Sequence, residues 1–276
     1  MITKRQKHLK NITGILTRSL ILIGLLLSID SCKQSQRELV WSDEFDYTGL
    51  PDPAKWGYEE GFVRNKEPQY YTVGRKENAR VENGCLVIEA RKEQFIKGKD
   101  TAAYTSASVI TMNKAEFKYG HIEFKAKFDA KQGMWPAFWM LGVNRGPVKW
   151  PACGEVDFLE YYRGDLHANS VHQGEDGQQV WNGKATKVED LGGPDWDKEF
   201  HIYTVDWDEK HIAIYVDDVL LNDIPITETI NHPMGNNPFH EKFYFLINLA
   251  LGHSGEIIPD ENLSSKYYVD YIRVYQ

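Results

Sequence analysis

The chain has 276 residues, enough for one large β domain or two small ones, and aromatic residues make up 13% of them. Its formal charge of −8 becomes −12 without residues 1–31, which hold five of the 32 basic and one of the 40 acidic side chains. Because a negative surface repels phosphates, nucleic acid is excluded as an expected partner, and heavily sulfated polymers are disfavoured more weakly.

The N-terminal segment predicts export followed by lipidation. Basic residues precede the apolar run "LILIGLLLSI" at 20–29, which is shorter than the ~20 residues that a membrane-spanning helix needs. Such a pattern is typical of a secretory signal, and the small residues before Cys32 resemble a bacterial lipoprotein cleavage site. We therefore expect a lipoprotein signal peptide at 1–31, a lipidated Cys32 in a short linker at 32–37, and an anchor in the bacterial cell envelope on either face of the outer membrane. Ordinary cleavage and a retained anchor are the alternatives.

From residue 38 onward, strand-like runs recur with turn signals between them. The stretch 78–93, "NARVENGCLVIEARKE", contains an Asn-Gly turn between two β-type runs, and "YGHIEFKAKF" at 119–128 alternates apolar and polar residues. No long amphipathic helix stands out. Many short strands at regular spacing predict an all-β sandwich or barrel, which we expect to form one domain over 38–276.

Cys85 and Cys153 are the two cysteines that follow Cys32. Two cysteines do not make a disulfide framework, and we expect two buried free thiols. One bridge in an oxidising compartment is the alternative.

The stretch 154–162, "GEVDFLEYY", places three acids among residue types that sheets prefer. In a regular strand, Glu155 and Asp157 share a face, whereas Glu160 points to the other face. A one-residue bulge between Asp157 and Glu160 would turn all three acids to one side. Two carboxyl groups held close together are what retaining glycoside hydrolysis requires, one as the nucleophile and one as the acid and then the base. Three acids on a solvent-facing rim of the sheet are the alternative.

Three tryptophans, Trp135, Trp139 and Trp150, lie within 20 residues of this acidic run. The faces of Trp rings stack on flat groups, including the apolar faces of sugars. Their number close to the acids indicates a glycan cleft, although packing in the core is the alternative for each ring.

The acidic run, preceded by "MWPAFWMLG" at 134–142, resembles the active-site region of family-16 glycoside hydrolases. It matches the branch with the pattern Glu-x-Asp-x-x-Glu, which includes laminarinases, agarases, porphyranases and κ-carrageenases. The resemblance implies a jelly-roll sandwich of two curved antiparallel sheets with a concave glycan cleft. It implies a retaining endo-β-glycanase with Glu155 as the nucleophile, Asp157 as its partner and Glu160 as the general acid and base.

The resemblance also implies a set of sugar-binding residues. An ion pair is the alternative role for the arginine of this set, and structural packing is the alternative for the histidine and tyrosines. The implied set comprises Trp135, Trp139 and Trp150 around the cleaved bond, Arg64 and Asn65 in the non-reducing-end subsites, His172 on the leaving-group side, and Tyr70 and Tyr71 in further negative subsites.

Many family members bind a structural calcium ion on the convex side. By motif, the ligands here would be the backbone carbonyls of Glu44 and Gly84 and the carboxylate of Asp270, and such oxygen ligands suit a hard cation. A salt bridge from Asp270 to Arg273 or a similar residue is the alternative. The resemblance implies no cofactor for the chemistry itself.

The expected substrate is a β-1,3- or β-1,3-1,4-glucan, and the expected enzyme is a monomer that meets the membrane only through its lipid. The sequence departs from glucan-cleaving relatives at two places: Tyr70 stands where they have a Trp, and the stretch that follows His172 differs. An endo-β-galactanase of the agarase, porphyranase, carrageenase or mucin-glycan type is therefore an alternative. A non-catalytic glycan-binding protein is the alternative from another class, and glycosyl transfer through the same covalent intermediate is a further alternative reaction.

Overall fold

A computed structural model describes residues 37–193, 195–260 and 264–276, which are built mainly of β-strands. The predicted signal peptide and Cys32 lie outside these residues. Within the described part, the longer of the two α-helices has five residues, and no helix is long and apolar enough to cross a membrane. The prediction of an all-β fold is confirmed.

The strands fall into two sheets, one of ten strands and one of seven, and residues 37–276 form one compact unit. In chain order the elements are β1 (Leu39–Asp43), β2 (Gly57–Tyr58), β3 (Gln69–Tyr71), β4 (Ala79–Glu82), β5 (Cys85–Lys97), β6 (Asp100–Ser106), β7 (Ser108–Ile110), β8 (Gly120–Phe128), β9 (Met134–Gly142), α1 (Arg145–Val148), β10 (Glu155–Tyr162), β11 (Asp165–Gln173), β12 (Gln179–Lys187), α2 (Val188–Gly192), β13 (His201–Trp207), β14 (His211–Val216), β15 (Val219–Pro225), β16 (Phe243–Leu251) and β17 (Ser265–Tyr275). Short 3₁₀ turns add Glu175–Gly177, Trp196–Lys198, Pro238–His240 and His253–Gly255.

The ten-stranded sheet has the order β15-β14-β13-β8-β17-β5-β6-β3, with β1 beside β17 and β4 beside β5. The seven-stranded sheet has the order β12-β11-β10-β9-β16-β7-β2. Neighbouring strands are antiparallel except for β3 and β6, which are parallel. The seven-stranded sheet therefore places β10, which carries the acids, between β9 and β11.

Inward-facing side chains of both sheets form one core. In β8, Ile122, Phe124 and Ala126 are fully buried while the residues between them are partly exposed, as the alternation of a strand with one buried face requires. All nine residues of β16 are buried because its second face is also covered. On that face Tyr244 and Leu246 belong to a smaller cluster that includes Trp139. Three members of this cluster, Ala137, Trp139 and Leu141, also line the site described below.

Both cysteines in the described part are free thiols. Cys153 is buried, and burial raises the pKa of its thiol to about 11. Cys85 is only partly buried, so the prediction of two buried thiols is wrong for that residue. It begins β5 directly after the Asn83–Gly84 turn, where the end of the strand is open to solvent.

Candidate active site

The bulge in β10 is present at the predicted place. Asp157 pairs with Asn169 of β11 and Glu160 pairs with His167, so three steps along β10 match two along β11. On the other side, Asp157 pairs with Trp139 of β9 and Leu159 with Phe138, so two steps match one. β10 therefore carries one extra residue between Asp157 and Glu160.

The extra residue reverses the facing of the side chains that follow it. Phe158 and Leu159 are consecutive, yet both are buried in the main core. Glu155, Asp157 and Glu160 all line the opposite side of the sheet. Because Phe158 and Leu159 both face the core, the alternation of side chains shifts by one residue. Glu160 therefore faces the cleft together with Glu155 and Asp157.

The acids lie in a cleft of about 860 Å³ that contains four tryptophans. Its lining consists of Arg64, Asn65, Glu67, Trp135, Ala137, Trp139, Leu141, Arg145, Trp150, Glu155, Asp157, Glu160, Tyr162, Asn169, Gln179, Trp181, Gly183, Asn248, Ala250, His253 and Ser254. The predicted acids, the three predicted tryptophans, Arg64 and Asn65 are therefore brought together.

Indole and amide N–H groups hold the two glutamates. Trp135 Nε1 donates to Glu160 Oε1 at 2.7 Å, and Asn169 Nδ2 donates to Glu160 Oε2 at 3.2 Å. Trp150 Nε1 donates to Glu155 Oε2 at 3.0 Å. Each glutamate is therefore positioned by a tryptophan that also lines the cleft, and Glu160 has a second donor from β11.

The three carboxyl groups share one poorly solvated site, and each has a raised pKa. For Glu155 the cause is burial followed by the negative charge of Glu160. Burial and the charges of both glutamates raise the pKa of Asp157 well above its usual range. Burial also raises the pKa of Glu160. Like charges in close contact cannot all ionise, so the site retains protons near neutral pH.

The surroundings of the two glutamates carry opposite charge. The guanidinium groups of Arg64 and Arg145 lower the pKa of Glu155 and so favour its carboxylate. The negative charge of Glu67 raises the pKa of Glu160 and so favours its protonated form. Other groups oppose these charges, because the charge of Glu160 raises the pKa of Glu155 and the N–H donors of Trp135 and Asn169 lower the pKa of Glu160. With burial, the pKa is raised to about 8 for Glu155 and to about 7 for Glu160.

Asp157 is the most enclosed of the three acids. It is 4% exposed, and its Oδ2 atom is buried with no hydrogen-bond partner among the described residues. An unpartnered buried oxygen is costly when it carries charge. The aspartate is therefore suited to hold a proton that it can donate to a neighbouring carboxylate.

Arg64 and Asn65 contact the cleft through a wider polar network. Arg64 pairs with Glu59, and its guanidinium carbon lies 5.0 Å from the centre of the Trp139 ring. Asn65 Nδ2 donates to Glu67 Oε1 at 3.1 Å. Arg64 therefore forms the ion pair that was the alternative to a role in the cleft, and it also lines the cleft.

His172 is not among the lining residues, so the structure does not bring this predicted sugar contact to the acids, and its role stays a prediction. Leu166 and Ala168 of β11 are buried in the main core, whereas Asn169 lines the cleft. His172 has the parity of the core-facing residues and packs edge-on against Phe239 at 6.2 Å. Because side chains alternate along a strand, one residue of register decides this outcome.

Tyr70 and Tyr71 are packing residues and do not line the cleft. They are 4% and 0% exposed, and the Tyr71 hydroxyl donates to Glu67 Oε2 at 3.3 Å. The packing alternative is therefore the correct one for both, although Tyr71 supports a residue that does line the cleft.

Several lining residues were missed in the sequence. Trp181 and Gln179 belong to β12, Arg145 to α1, and His253 to the turn after β16. The sequence could have indicated Trp181 as a cleft residue, because a Trp within a polar stretch is expected to be exposed. The remaining residues enter the cleft through loop geometry or strand register, which a sequence pattern does not give.

The proposed calcium ligands lie around one point of β17. β1 pairs Asp43 with Ile272, and β5 pairs Leu86 with Val269, so Glu44 and Gly84 approach the neighbourhood of Asp270 along the same edge of β17. The Asp270 carboxylate lies 2.7 Å from Lys125 Nζ, and Arg273 pairs with Glu44 instead. The described residues include no cluster of three or more His, Cys, Asp or Glu side chains that could hold a metal. One carboxylate with two carbonyls fits a hard cation only if Lys125 gives way.

Comparison with known proteins gives a consistent result. The family model described as glycosyl hydrolases family 16 matches residues 66–246. A β-glucanase of Rhodothermus marinus is 36% identical over 98% of this chain and 96% of its own length. The laminarinase catalytic domain of Thermotoga maritima is 39% identical, with a TM-score of 0.75 over 87% of this chain and 98% of that one.

One further structure comes from work on endo-acting O-glycanases with which prominent members of the human gut microbiota initiate mucin breakdown. It is 33% identical, with a TM-score of 0.78 over 88% of this chain and 92% of that one.

Proposed function

This chain belongs to family 16 of the glycosyl hydrolases, and on that premise we propose that it is a retaining endo-β-glycanase of β-1,3- or β-1,3-1,4-glucan. The observation that carries the proposal is the bulge of β10, which turns Glu155, Asp157 and Glu160 into one tryptophan-lined cleft. The glucan assignment is supported by relatives that are named β-glucanase and laminarinase.

The reaction proceeds in two displacements. In the first, a Glu155 carboxylate oxygen bonds to the anomeric carbon while the bond from that carbon to the glycosidic oxygen breaks. Glu160 gives its proton to the departing oxygen, so the leaving sugar ends as a neutral alcohol. In the second, water attacks the anomeric carbon, Glu160 takes a proton from that water, and Glu155 leaves as a carboxylate. Two inversions restore the β configuration.

Single charges around the cleft act in the direction that each role requires, while burial and the other acids leave the pKa of Glu155 at about 8 and that of Glu160 at about 7. Arg64 and Arg145 favour the anionic Glu155 that attack requires, and Glu67 favours the protonated Glu160 that leaving-group departure requires. Asp157, with its raised pKa, is placed to donate a hydrogen bond to Glu155 and so to orient the nucleophile.

Glu155→Ser tests the assignment, because it removes the nucleophilic carboxylate and leaves a smaller polar side chain in the cleft. Reducing-sugar release from laminarin and mixed-linkage glucan should fall below detection, while the far-ultraviolet circular dichroism of the variant matches wild type. Glu123→Gln, on the other sheet, is a suitable control and should keep full activity. Undiminished release by the Glu155 variant would overturn the assignment.

An endo-β-galactanase of the mucin-glycan type is the second candidate, favoured by the similarity to the O-glycanase structure. Initial rates on laminarin, mixed-linkage glucan, agarose, κ-carrageenan and poly-N-acetyllactosamine separate the two candidates, since the preferred polymer identifies the subsites. Binding without turnover on all five would instead indicate a glycan-binding protein. Longer products at high acceptor concentration would reveal glycosyl transfer.

We further propose that Cys32 carries a lipid that anchors a monomeric enzyme to the bacterial cell envelope. The basic and apolar segments that precede Cys32 support this proposal. Wild-type protein expressed with its leader should partition with membranes, and Cys32→Ser should not. Equal partitioning of wild type and Cys32→Ser would contradict the lipid anchor. The molar mass of the mature domain, measured by light scattering, tests whether the enzyme is a monomer.

The remaining proposal is a structural calcium ion. Its ligands would be the Glu44 and Gly84 carbonyls and the Asp270 carboxylate. Its support is the strand register that brings the three residues together. A cation bound only to the folded state stabilises it. Added CaCl₂ after chelation should therefore raise the Tm of wild type but not of Asp270→Asn, and an equal Tm with and without CaCl₂ would refute the site.

A further inference from the structure

Two tryptophans of the cleft are exposed. Trp150 is 42% exposed and Trp181 is 49% exposed, whereas Trp139 is 8% exposed with a guanidinium against its ring. The ring centres of Trp150 and Trp181 are 6.5 Å apart, with an angle of 58° between the planes. Trp150 already contacts the nucleophile, but no role described above uses Trp181.

Trp181 lies on the opposite side of the acids from Arg64 and Asn65. Strand pairing joins Trp181 of β12 to Val171 of β11, and Val171 to Glu155 of β10. Two strand spacings place the backbone of Trp181 on the order of 10 Å from that of Glu155. Arg64 pairs with Glu59, which bonds to Ser108 of β7, beyond β9 and β16 in the sheet order. Trp181 therefore lies on the leaving-group side if Arg64 contacts the non-reducing end.

The ring of Trp181 is oriented by a hydrogen bond although the residue is 49% exposed. Its Nε1 donates to Gln179 Oε1 at 3.0 Å, and Gln179 and Gly183 line the cleft with it. Because side chains alternate along β12, Val180 and Asn182 point to the other face. Gly183 presents no side chain beside the ring. A large, oriented and exposed apolar surface in a polar cleft marks a ligand-binding position.

We propose that Trp181 is a stacking platform for the second sugar beyond the cleaved bond, on the leaving-group side. Trp150 and Trp181 would then border the glycan path from the nucleophile to the edge strand β12. The ligand class is a β-linked pyranose that presents an apolar ring face. This inference rests on the proposed glycanase function, because the second sugar is counted from the bond that Glu155 and Glu160 would cleave.

Trp181→Ala tests the inference, with Val180→Ala as the matched control on the opposite face of the same strand. The loss of one stacking contact should lower kcat/KM on the preferred polymer by about tenfold. An aryl glycoside of the matching oligosaccharide has no second sugar beyond the cleaved bond. Its kcat/KM should therefore stay within about twofold of wild type, as should both rates in Val180→Ala.

The cleavage pattern gives an independent readout. On an oligosaccharide labelled at its reducing end, Trp181→Ala should shift the labelled products towards shorter fragments, because fewer sugars are held beyond the cleaved bond. Circular dichroism checks that the variant is folded.

Trp181→Ala with the wild-type fragment pattern and polymer kcat/KM would overturn the inference and leave the proposed function intact. An equal loss on the polymer and the aryl glycoside would also overturn it, since that result indicates a general disturbance of the site. A wild-type enzyme that cleaves no β-glycan would overturn the proposed function and this inference with it.

Discussion

Gly183→Ala should impair catalysis although Gly183 touches no acid. An alanine Cβ at this position would lie 2.5 Å from Asn169 Oδ1, and ordinary contact begins at 3.4 Å, so the amide must retreat by about 1 Å. The hydrogen bond from Asn169 to Glu160 is already 3.2 Å long and would be lost. A hydrogen bond to a charged group contributes about 1.5–3 kcal/mol. If it acts in the transition state, kcat/KM should fall about 10- to 100-fold.

The pH profile should change in a defined direction. The Asn169 amide lowers the pKa of Glu160 by stabilising its carboxylate, so losing the hydrogen bond raises that pKa. Glycosidic bond cleavage needs protonated Glu160. The alkaline limb of kcat/KM against pH should therefore move to higher pH in Gly183→Ala.

Two further variants make the reasoning refutable. Asn182→Ala introduces alanine at the adjacent position, on the other face of β12. Its kcat/KM and pH profile should match those of wild type. Asn169→Ala removes the group that alanine at 183 would strike, so the double variant should lose no more activity than Asn169→Ala alone. An unchanged pH profile in Gly183→Ala, or additive losses in the double variant, would show that the contact with Asn169 is not the cause.

Other variants probe the acids and the bulge. Glu160→Gln should lower kcat on the natural glycan by about 10²- to 10⁴-fold but spare aryl glycosides with good leaving groups, and equal losses would contradict its role as the acid. Glu67→Gln removes a charge that raises the pKa of Glu160, so the alkaline limb should move to lower pH by up to about one unit; an upward shift would refute this electrostatic role. Phe158→Ala should lower the free energy of unfolding by about 3–5 kcal/mol in urea titration, because the ring is fully buried, and a loss under about 1 kcal/mol would refute its place in the core.

The catalytic strand could be predicted because its signal is local. Glu160 stands out of phase with Glu155 and Asp157 within six residues, and one bulge explains it. The two apolar residues between the acids, Phe158 and Leu159, supply the reason that the bulge is stable, since both are buried.

The residues that were missed or misplaced depend on distant strands. His172 and Asn169 differ only in which face of β11 they occupy, and the pairing with β10 sets that face. Tyr71 is enclosed by contacts that include Asn248, 177 residues away. Trp181 is placed beside Trp150 by the pairing of β12 with β11. None of these relations leaves a periodic mark in the local sequence.

All three acids belong to a single strand that is paired along both edges, with β9 on one side and β11 on the other. The spacing between nucleophile and acid is therefore an internal dimension of β10 and does not depend on how any loop is arranged. Arg145, Trp181 and His253, in contrast, lie on α1, an edge strand and a turn. A position such as Trp181 is thus separable from the strand that breaks the bond, so exchanging the residues around Trp181 for those of a relative, with Gly183 kept, should change which sugar is accepted before it changes how the bond is broken.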